Sequence, residues 1–387
     1  MNMVSTDRER SRPVVQRNPH RGGMRKNEVL YMVRPGVEAP DANDLAAHEQ
    51  LKLRELVQMW EEVVGDDVAA GPAGDREDFF EPSLELEAVL RRYGRERVWL
   101  RSAGTSRVRN AATGKLRDLS DCGHMPLLGP VESSDRTPPR SEKLANDYMR
   151  LETFRDLAGR QCALTTYNPD AGDSHPDLLE MVRHFHARGH RKLVIKTSAM
   201  KKGLWKIDLP DDEDLAVAHV DEQLGWTAVH YEARPGAFLV QEHIPMTHEY
   251  RVFVINHALV TGAGCIEEFM PMDRSATGAF DAQMRKCRTG MDPVVEEPGI
   301  AQLYMDFARE VADRICVESP EMRHYVVDLA LDGYGKPVIV EFNGFRNSGF
   351  YANDVGLIVD RFCEQEPIRR DHPIPDPLAR FLKGTSA

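Results

Sequence analysis

Apolar and polar positions alternate most regularly near the C-terminus, in two runs separated by a short turn. The first run contains a single carboxylate, Asp328, and the second ends in Glu341 and Asn343. The intervening Asp332-Gly333-Tyr334-Gly335 is typical of a hairpin turn. We therefore predict two antiparallel strands, in which the pleat places Glu341 and Asn343 on one face and the pairing brings Asp328 close to both.

These three side chains carry oxygen atoms of the kind that suits Mg²⁺, which takes few protein ligands and keeps positions for water and phosphate. A capped hairpin with solvated acids is the alternative interpretation. It is less favoured because Asp328 and Glu341 both lie within apolar strands, where a carboxylate needs a cation or a donor. The hairpin is therefore predicted to hold a metal ion through Asp328, Glu341 and Asn343.

The first third of the chain alternates strand and helix patterns. Strand-like runs at 28–33 and 98–101 flank two stretches, 44–64 and 84–93, whose apolar residues recur near helical spacing. This alternation predicts a small α/β domain over residues 27–135.

Three arginines of this domain, Arg101, Arg107 and Arg109, lie near Gly104 and Gly114. Guanidinium groups in such a cluster could bind an anionic group of a substrate. A surface cluster of arginines without a ligand is an equally favoured interpretation.

A second series of elements follows a polar, proline-bearing linker at 132–140. Ser141 is a candidate N-cap for a helix that carries Lys143. Lys196 ends a strand and precedes a polar loop at 198–205. The other elements are predicted as a helix at 178–187, a strand at 192–197, an acidic outward-facing helix at 211–224, a strand at 238–245, a hairpin at 249–262 and helices at 301–317 and 354–363.

His186 and His190 stand four residues apart, a spacing that can chelate a metal on a helix. Gly189 interrupts that helix, however, and no third ligand is apparent. A role in metal binding is therefore disfavoured for this pair.

Taken in order, these motifs resemble those of the ATP-grasp superfamily. The motifs are Lys143, Lys196 with its loop, Glu242 at a strand end, Arg251 on a hairpin, Asp328, and Glu341 with Asn343. The resemblance covers residues 141–363 and implies an α/β (α+β) protein with an ATP-grasp fold, in which two α+β subdomains sandwich the nucleotide. The small α/β domain would precede this fold.

The resemblance also implies roles for individual residues. The metal would be held by Asp328, Glu341 and Asn343. ATP would be bound by Lys143, Lys196, Lys202, Gln241, Glu242, His243, Ile244 and Glu249. The implied catalytic residues are Arg251 and Lys196, together with Arg346 and Ser348 on the loop that follows the metal strand.

The implied activity is that of an ATP- and Mg²⁺-dependent ligase, which joins a carboxylate to an amine through an acyl phosphate and releases ADP and phosphate. Its substrates would be a small-molecule acid and amine, such as amino acids or a peptide. A small-molecule kinase on the same fold and a non-catalytic nucleotide-binding protein are the alternatives. The kinase is less favoured because no isolated Asp or His base is evident beside these motifs, and the complete metal set disfavours a non-catalytic protein.

Composition restricts the remaining possibilities. The 387-residue chain has a net charge of −12, which argues against general binding to nucleic acids or anionic membranes. It has neither a run of about 18 apolar residues nor an N-terminal signal segment, and its six cysteines form no C-x-x-C pair, as expected of a reduced, cytoplasmic protein. Residues 1–26, a disordered basic tail, and 364–387 are predicted to lie outside the folded part. An oligomer remains open.

Overall fold

A computed structural model of the chain describes residues 28–33, 39–65, 76–102, 105–122, 125–129, 144–145, 147–166, 176–197, 204–230 and 238–365. The helices of these segments are α1 (Ala47–Val63), α2 (Arg76–Tyr93), α3 (Glu152–Leu157), α4 (Leu178–Ala187), α5 (Glu213–His230), α6 (Pro298–Glu318) and α7 (Val355–Gln365). None of them is long and apolar enough to cross a membrane. The predicted N-terminal tail lies outside the described residues.

The strands of the same segments are β1 (Val29–Val33), β2 (Val98–Ser102), β3 (Arg107–Asn110), β4 (Leu116–Asp118), β5 (Leu127–Leu128), β6 (Cys162–Thr165), β7 (Lys192–Thr197), β8 (Leu204–Asp208), β9 (Phe238–Glu242), β10 (Thr247–Ile255), β11 (Ala258–Gly264), β12 (Gln283–Met284), β13 (Val295–Glu296), β14 (His324–Leu331) and β15 (Pro337–Gly344). Apart from the short β12–β13 pair, they form three sheets.

The N-terminal sheet has five strands in the order β4-β3-β2-β1-β5. β1 pairs in parallel with β2 and β5, whereas β2, β3 and β4 pair antiparallel. α1 packs into the core of this unit because Leu53, Leu56, Trp60 and Val63 recur at helical spacing and are buried. The α/β character predicted for the first third of the chain is confirmed.

The middle sheet is antiparallel, with the order β6-β9-β7-β8, and shares one core with α4 and α5. Asp177 caps α4 by accepting hydrogen bonds from two backbone amides, so this helix begins where the sequence predicts it. The expectation that the acidic helix, α5, faces outward is wrong. Its residues Ala216, Val217, Val220 and Leu224 are buried in this core.

The C-terminal sheet is antiparallel throughout, with the order β11-β10-β14-β15. Side chains of β10 alternate between two cores. Val252 and Val254 pack in the core that contains α6, whereas Phe253 and Ile255 pack in the core of the N-terminal sheet, which also includes α7. The N-terminal unit and the C-terminal sheet therefore share one hydrophobic core.

Two element boundaries differ from the sequence prediction. α2 begins at Arg76 rather than at residue 84. Pro82 lacks the N–H that a helix interior uses, but Phe79 and Phe80 are fully buried and keep the preceding turns packed in the core. β8 begins at Leu204, so the loop after β7 ends two residues earlier than predicted.

Candidate active site

The β14–β15 hairpin brings its three oxygen-bearing side chains together as the alternation predicts. Asp328 pairs with Glu341 in the strand register, and a bulge follows between Asp328 and Leu329. The Asn343 side chain donates from Nδ2 to Asp328 Oδ2 at 3.0 Å and to Glu341 Oε1 at 3.2 Å. Asp328 is completely buried, so two carboxylates and a carboxamide converge at a protected point of the sheet.

Arg251 approaches the same point from the neighbouring strand β10. Its Nε and Nη2 donate to the two oxygens of Asp328, both at 2.8 Å, and Nη1 donates to the carbonyl of Gly349 at 2.8 Å. The guanidinium also lies over the Tyr351 ring, 4.7 Å from its centroid. Arg251 is therefore the bidentate partner of a predicted metal ligand.

Lys196 reaches the site from the middle sheet. Its Nζ lies 3.0 Å from Glu341 Oε2, which joins the end of β7 to the metal strand β15. Burial alone would raise the pKa of Glu341, but the charge of Lys196 and hydrogen bonds from Lys196 and Asn343 hold that pKa at about 2. Glu341 is thus an anion throughout the physiological range and is available to a cation.

Arg160 is a site residue that the sequence analysis missed. Its guanidinium is buried and donates to Gln241 Oε1 at 2.9 Å, and to the carbonyls of Ile339 at 2.8 Å and Val340 at 3.0 Å. It thereby links β9 of the middle sheet to the backbone just before Glu341. Burial lowers the pKa of Arg160. No motif identifies this residue, because it follows a short helix without any strand or glycine-rich pattern.

The predicted nucleotide-binding strand end lies beside these residues. Gln241 is buried and Glu242 ends β9. The Glu242 amide donates to the carbonyl of Gln161 at 3.0 Å, and the His243 amide donates to that of Lys192 at 3.1 Å. Ile244, in the turn that follows β9, is half-buried.

Glu249 lies on the same strand as Arg251, which instead pairs with Asp328. Burial, and next the charge of Asp328, raise the pKa of Glu249 to about 7. Arg288, from the segment after β12, has its guanidinium 5.5 Å from the centroid of the Tyr351 ring, and its charge opposes the rise in the pKa of Glu249. The sequence indicated only that arginines of this segment might face a substrate, and Arg288 is the one that lies beside the site here.

Arg346 and Ser348 are not brought to the metal-binding point in the same way. Ser348 Oγ donates to the carbonyl of Gly344 at 2.8 Å and so closes a turn of its own loop. Arg346 lies near Glu85 of α2, whose carboxyl charge it stabilises. Lys143 and Lys202 lie outside the described residues.

The other candidate clusters are engaged elsewhere. His186 Nε2 lies 2.9 Å from the Pro210 carbonyl, and His190 Nδ1 lies 3.4 Å from Glu242 Oε1, so the two rings have separate partners. In the N-terminal sheet, Arg109 Nη2 donates to two carbonyls at the end of α1, both at 2.7 Å.

Comparison with known proteins places this site in a family. Residues 207–360 match the sequence model of an ATP-grasp domain, the second family of its clade, and this segment contains Arg251, Asp328, Glu341 and Asn343. No curated protein sequence matches the chain.

Several solved structures show weaker similarity. D-cycloserine synthetase DcsG is 12% identical with a TM-score of 0.44, over 87% of this chain and 98% of that one. D-alanyl-alanine synthetase A from Vibrio cholerae O1 biovar eltor is 10% identical with a TM-score of 0.42, over 88% and 98%. The ATP-grasp ligase PsnB with minimal precursor, Mg and ADP is 15% identical with a TM-score of 0.35, and the match spans 59% of this chain and only 60% of PsnB. The assignment rests on the sequence model and on the site that it contains: the chain belongs to the ATP-grasp superfamily, with the matching domain over residues 207–360.

Proposed function

We propose that this protein is an ATP- and Mg²⁺-dependent ligase that joins a carboxylate to an amine through an acyl phosphate and releases ADP and phosphate. One observation carries the proposal. Asp328, Glu341 and Asn343 converge at a point that Arg251 and Lys196 reach from two different strands. This combination of acidic ligands and cationic side chains suits the polyphosphate of ATP and a transferred phosphoryl group.

The side chains at this point fit a divalent cation. Both carboxylates lie within hydrogen-bonding distance of Asn343, and a turn of its carboxamide would present Oδ1 in place of Nδ2. Each carboxylate has a cationic partner, Arg251 for Asp328 and Lys196 for Glu341. A bound Mg²⁺ would neutralise charge on phosphate oxygens.

The remaining residues bind and orient the substrates. Lys196 has a compact charge suited to phosphate oxygens, which it would contact when it leaves Glu341. Gln241, Glu242, His243 and Ile244 would line the adenine pocket at the end of β9. Lys143 and Lys202 are further candidates for the phosphates, and Glu249 for another part of the nucleotide.

The reaction needs positioning and charge neutralisation more than covalent chemistry from the protein. A carboxylate oxygen of the acid attacks the γ-phosphorus, and the bond to ADP breaks. The amine then attacks the acyl carbon, phosphate leaves, and a proton is released from the nitrogen. Arg251, which holds Asp328 and reaches the loop after β15, can neutralise charge on the acid and on the phosphoryl oxygens. Arg346 and Ser348 stay proposed contributors from that loop.

A coupled assay of ADP release over pools of amino acids, dipeptides and hydroxy acids tests the proposal. We expect ADP and free phosphate in equal amounts, and turnover that requires both an acid and an amine. Hydroxylamine should trap the activated acid as a hydroxamate when the amine is omitted. A phosphorylated product without free phosphate would establish a kinase instead, and formation of AMP and pyrophosphate would exclude both reactions.

A further inference from the structure

The loop at residues 345–351, which follows the metal strand β15, contacts two parts of the molecule at once. On one side its Gly349 carbonyl accepts a hydrogen bond from Arg251, and its Tyr351 ring lies beneath the guanidinium groups of Arg251 and Arg288. On the other side its Phe350 amide donates to Glu81 Oε1 of helix α2. We propose that helix α2 of the N-terminal unit positions this loop in the active site, and that Glu81 is the positioning residue.

The hydrogen bond from Phe350 to Glu81 matters because it is partly buried. A backbone N–H that loses its acceptor in such a position costs free energy comparable to a hydrogen bond. The next residue, Tyr351, has a φ of 48°, a left-handed conformation that a bulky side chain adopts only when its surroundings enforce it. Glu81 fixes the backbone at the residue directly before this constrained position.

Aromatic packing attaches the same loop to the shared core. The Phe350 ring stacks on Phe253 of β10 with centroids 5.7 Å apart, and Phe345 contacts Phe253 edge to face at 5.9 Å. Both loop rings belong to the core that contains β1, β2 and α2. Packing alone allows sliding of the loop over an apolar surface, whereas the directional contact with Glu81 sets its position along α2.

The contacts form a path from α2 to the predicted metal site. Glu81 holds Phe350, the neighbouring Gly349 carbonyl accepts from Arg251, and Arg251 holds both oxygens of Asp328. A shift of the loop therefore changes the support of the guanidinium that faces the substrates, and leaves the contacts of β9 unchanged. The effect on turnover rests on the proposed ligase function, while the effect on the loop does not.

Four variants separate reach, charge and general damage to α2. Glu81→Ala removes the acceptor, and Glu81→Asp keeps the charge but shortens the side chain by one methylene. Glu81→Gln keeps the acceptor and the length but removes the charge. Glu87→Ala is the control, because Glu87 lies on the same helix and pairs with Lys52 at 2.6 Å instead of with the loop.

Hydrogen exchange of peptides spanning residues 345–353 reports the loop directly. We expect exchange about tenfold faster in Glu81→Ala and Glu81→Asp, and near the wild-type rate in Glu81→Gln and Glu87→Ala. With an acid and amine identified by ADP release, kcat should fall about 10- to 100-fold in the first two variants. Affinity for Mg²⁺ with a non-hydrolysable ATP analogue should stay within about twofold of wild type, since the adenine-side contacts are intact.

Unchanged exchange in both Glu81→Ala and Glu81→Asp would overturn the proposal, and so would a Glu81→Gln variant as defective as Glu81→Ala. Faster exchange without any fall in kcat would show that the loop position is irrelevant to turnover and would equally overturn it. If the wild-type protein turns over no acid and amine, the proposed ligase function fails, and the exchange rates still decide whether Glu81 positions the loop.

Discussion

Lys196 and Glu341 form an ion pair between two different sheets, with 3.0 Å between Nζ and Oε2. The lysine ends a strand of the middle sheet and the glutamate belongs to the metal strand of the C-terminal sheet. Because Glu341 is also a predicted metal ligand, the lysine holds its negative charge in the absence of a metal. Binding of nucleotide with Mg²⁺ is then expected to exchange partners, so that the lysine moves to phosphate and the carboxylate to the cation.

Replacement of Lys196 by methionine should weaken nucleotide binding. A lost charge-assisted hydrogen bond is worth about 1.5–3 kcal/mol, which corresponds to about 10- to 100-fold in the dissociation constant of the Mg²⁺–nucleotide complex. Titration calorimetry with a non-hydrolysable ATP analogue measures this change. Lys206→Met, at an exposed position on β8, is the matched control, and equal affinities of the two variants would contradict a phosphate-binding role for Lys196.

Glu341→Gln and Asp328→Asn should both lose turnover, on the order of a hundredfold or more, but should differ in stability. Asp328 is fully buried and is bound bidentately by Arg251, so its neutralisation leaves a buried guanidinium unpaired at a cost of about 3–5 kcal/mol. Glu341 is partly exposed, and its neutralisation should cost much less. Thermal unfolding beside ADP release separates the two effects. Wild-type ADP release from either variant at saturating Mg²⁺ would remove the metal assignment.

Arg251→Lys should lose most of its activity while remaining folded. A lysine retains the positive charge beside Asp328, but an ammonium cannot contact both carboxylate oxygens and the Gly349 carbonyl as the planar fork does. ADP release is the measurement, and circular dichroism verifies the fold. Activity close to wild type would mean that charge alone suffices at this position.

The local part of this site could be predicted from sequence, and the long-range part could not. Strand alternation and the Asp332–Gly335 turn define the β14–β15 hairpin and therefore the meeting of Asp328 with Glu341. The contacts of Arg160 with β9 and β15 depend on how two sheets pack, which no periodicity within one segment encodes. The same holds for Glu81 and its contact with the loop after β15.

Glu85 should make the stability of the protein depend on pH between about 4.5 and 7. Burial raises the pKa of Glu85 to about 7 from the ordinary value of 4.5, so the folded state binds a proton that the unfolded state releases. Stability is therefore full below about pH 4.5 and falls by up to about 3 kcal/mol as the pH rises to 7. Glu249 contributes in the same direction.

The Glu85→Gln variant removes the contribution of Glu85 from this dependence, because glutamine keeps an acceptor for the Gly129 amide but does not titrate. Chemical denaturation at several pH values measures the change, with the exposed Glu61→Gln as the control. A variant with the same pH slope as wild type would refute the assignment.

Gly159→Ala should destabilise the protein more than Gly189→Ala. Both glycines have positive φ, 65° and 90°, so alanine costs about 1–2 kcal/mol at either position. A Cβ at Gly159 would also overlap Val338 Cγ1 of the metal strand, whereas one at Gly189 would meet no atom within 4 Å. The overlap adds about 1–3 kcal/mol. Equal midpoints of urea unfolding in the two variants would show that β15 yields without cost.

The core that the N-terminal unit shares with the C-terminal sheet divides the molecule in a way that chain order does not suggest. Phe253 and Val326 pack with β1 and α2, although the whole middle sheet lies between them in sequence and has a separate core of its own. The chain therefore behaves as one large body, made from its two ends, with a smaller body inserted into it. Lys196 travels with the smaller body and Glu341 belongs to the larger one. Closure over a nucleotide is then a movement of the inserted body against a stationary metal site, and the energy of that movement is exchanged at the contacts of Lys196 and Arg160.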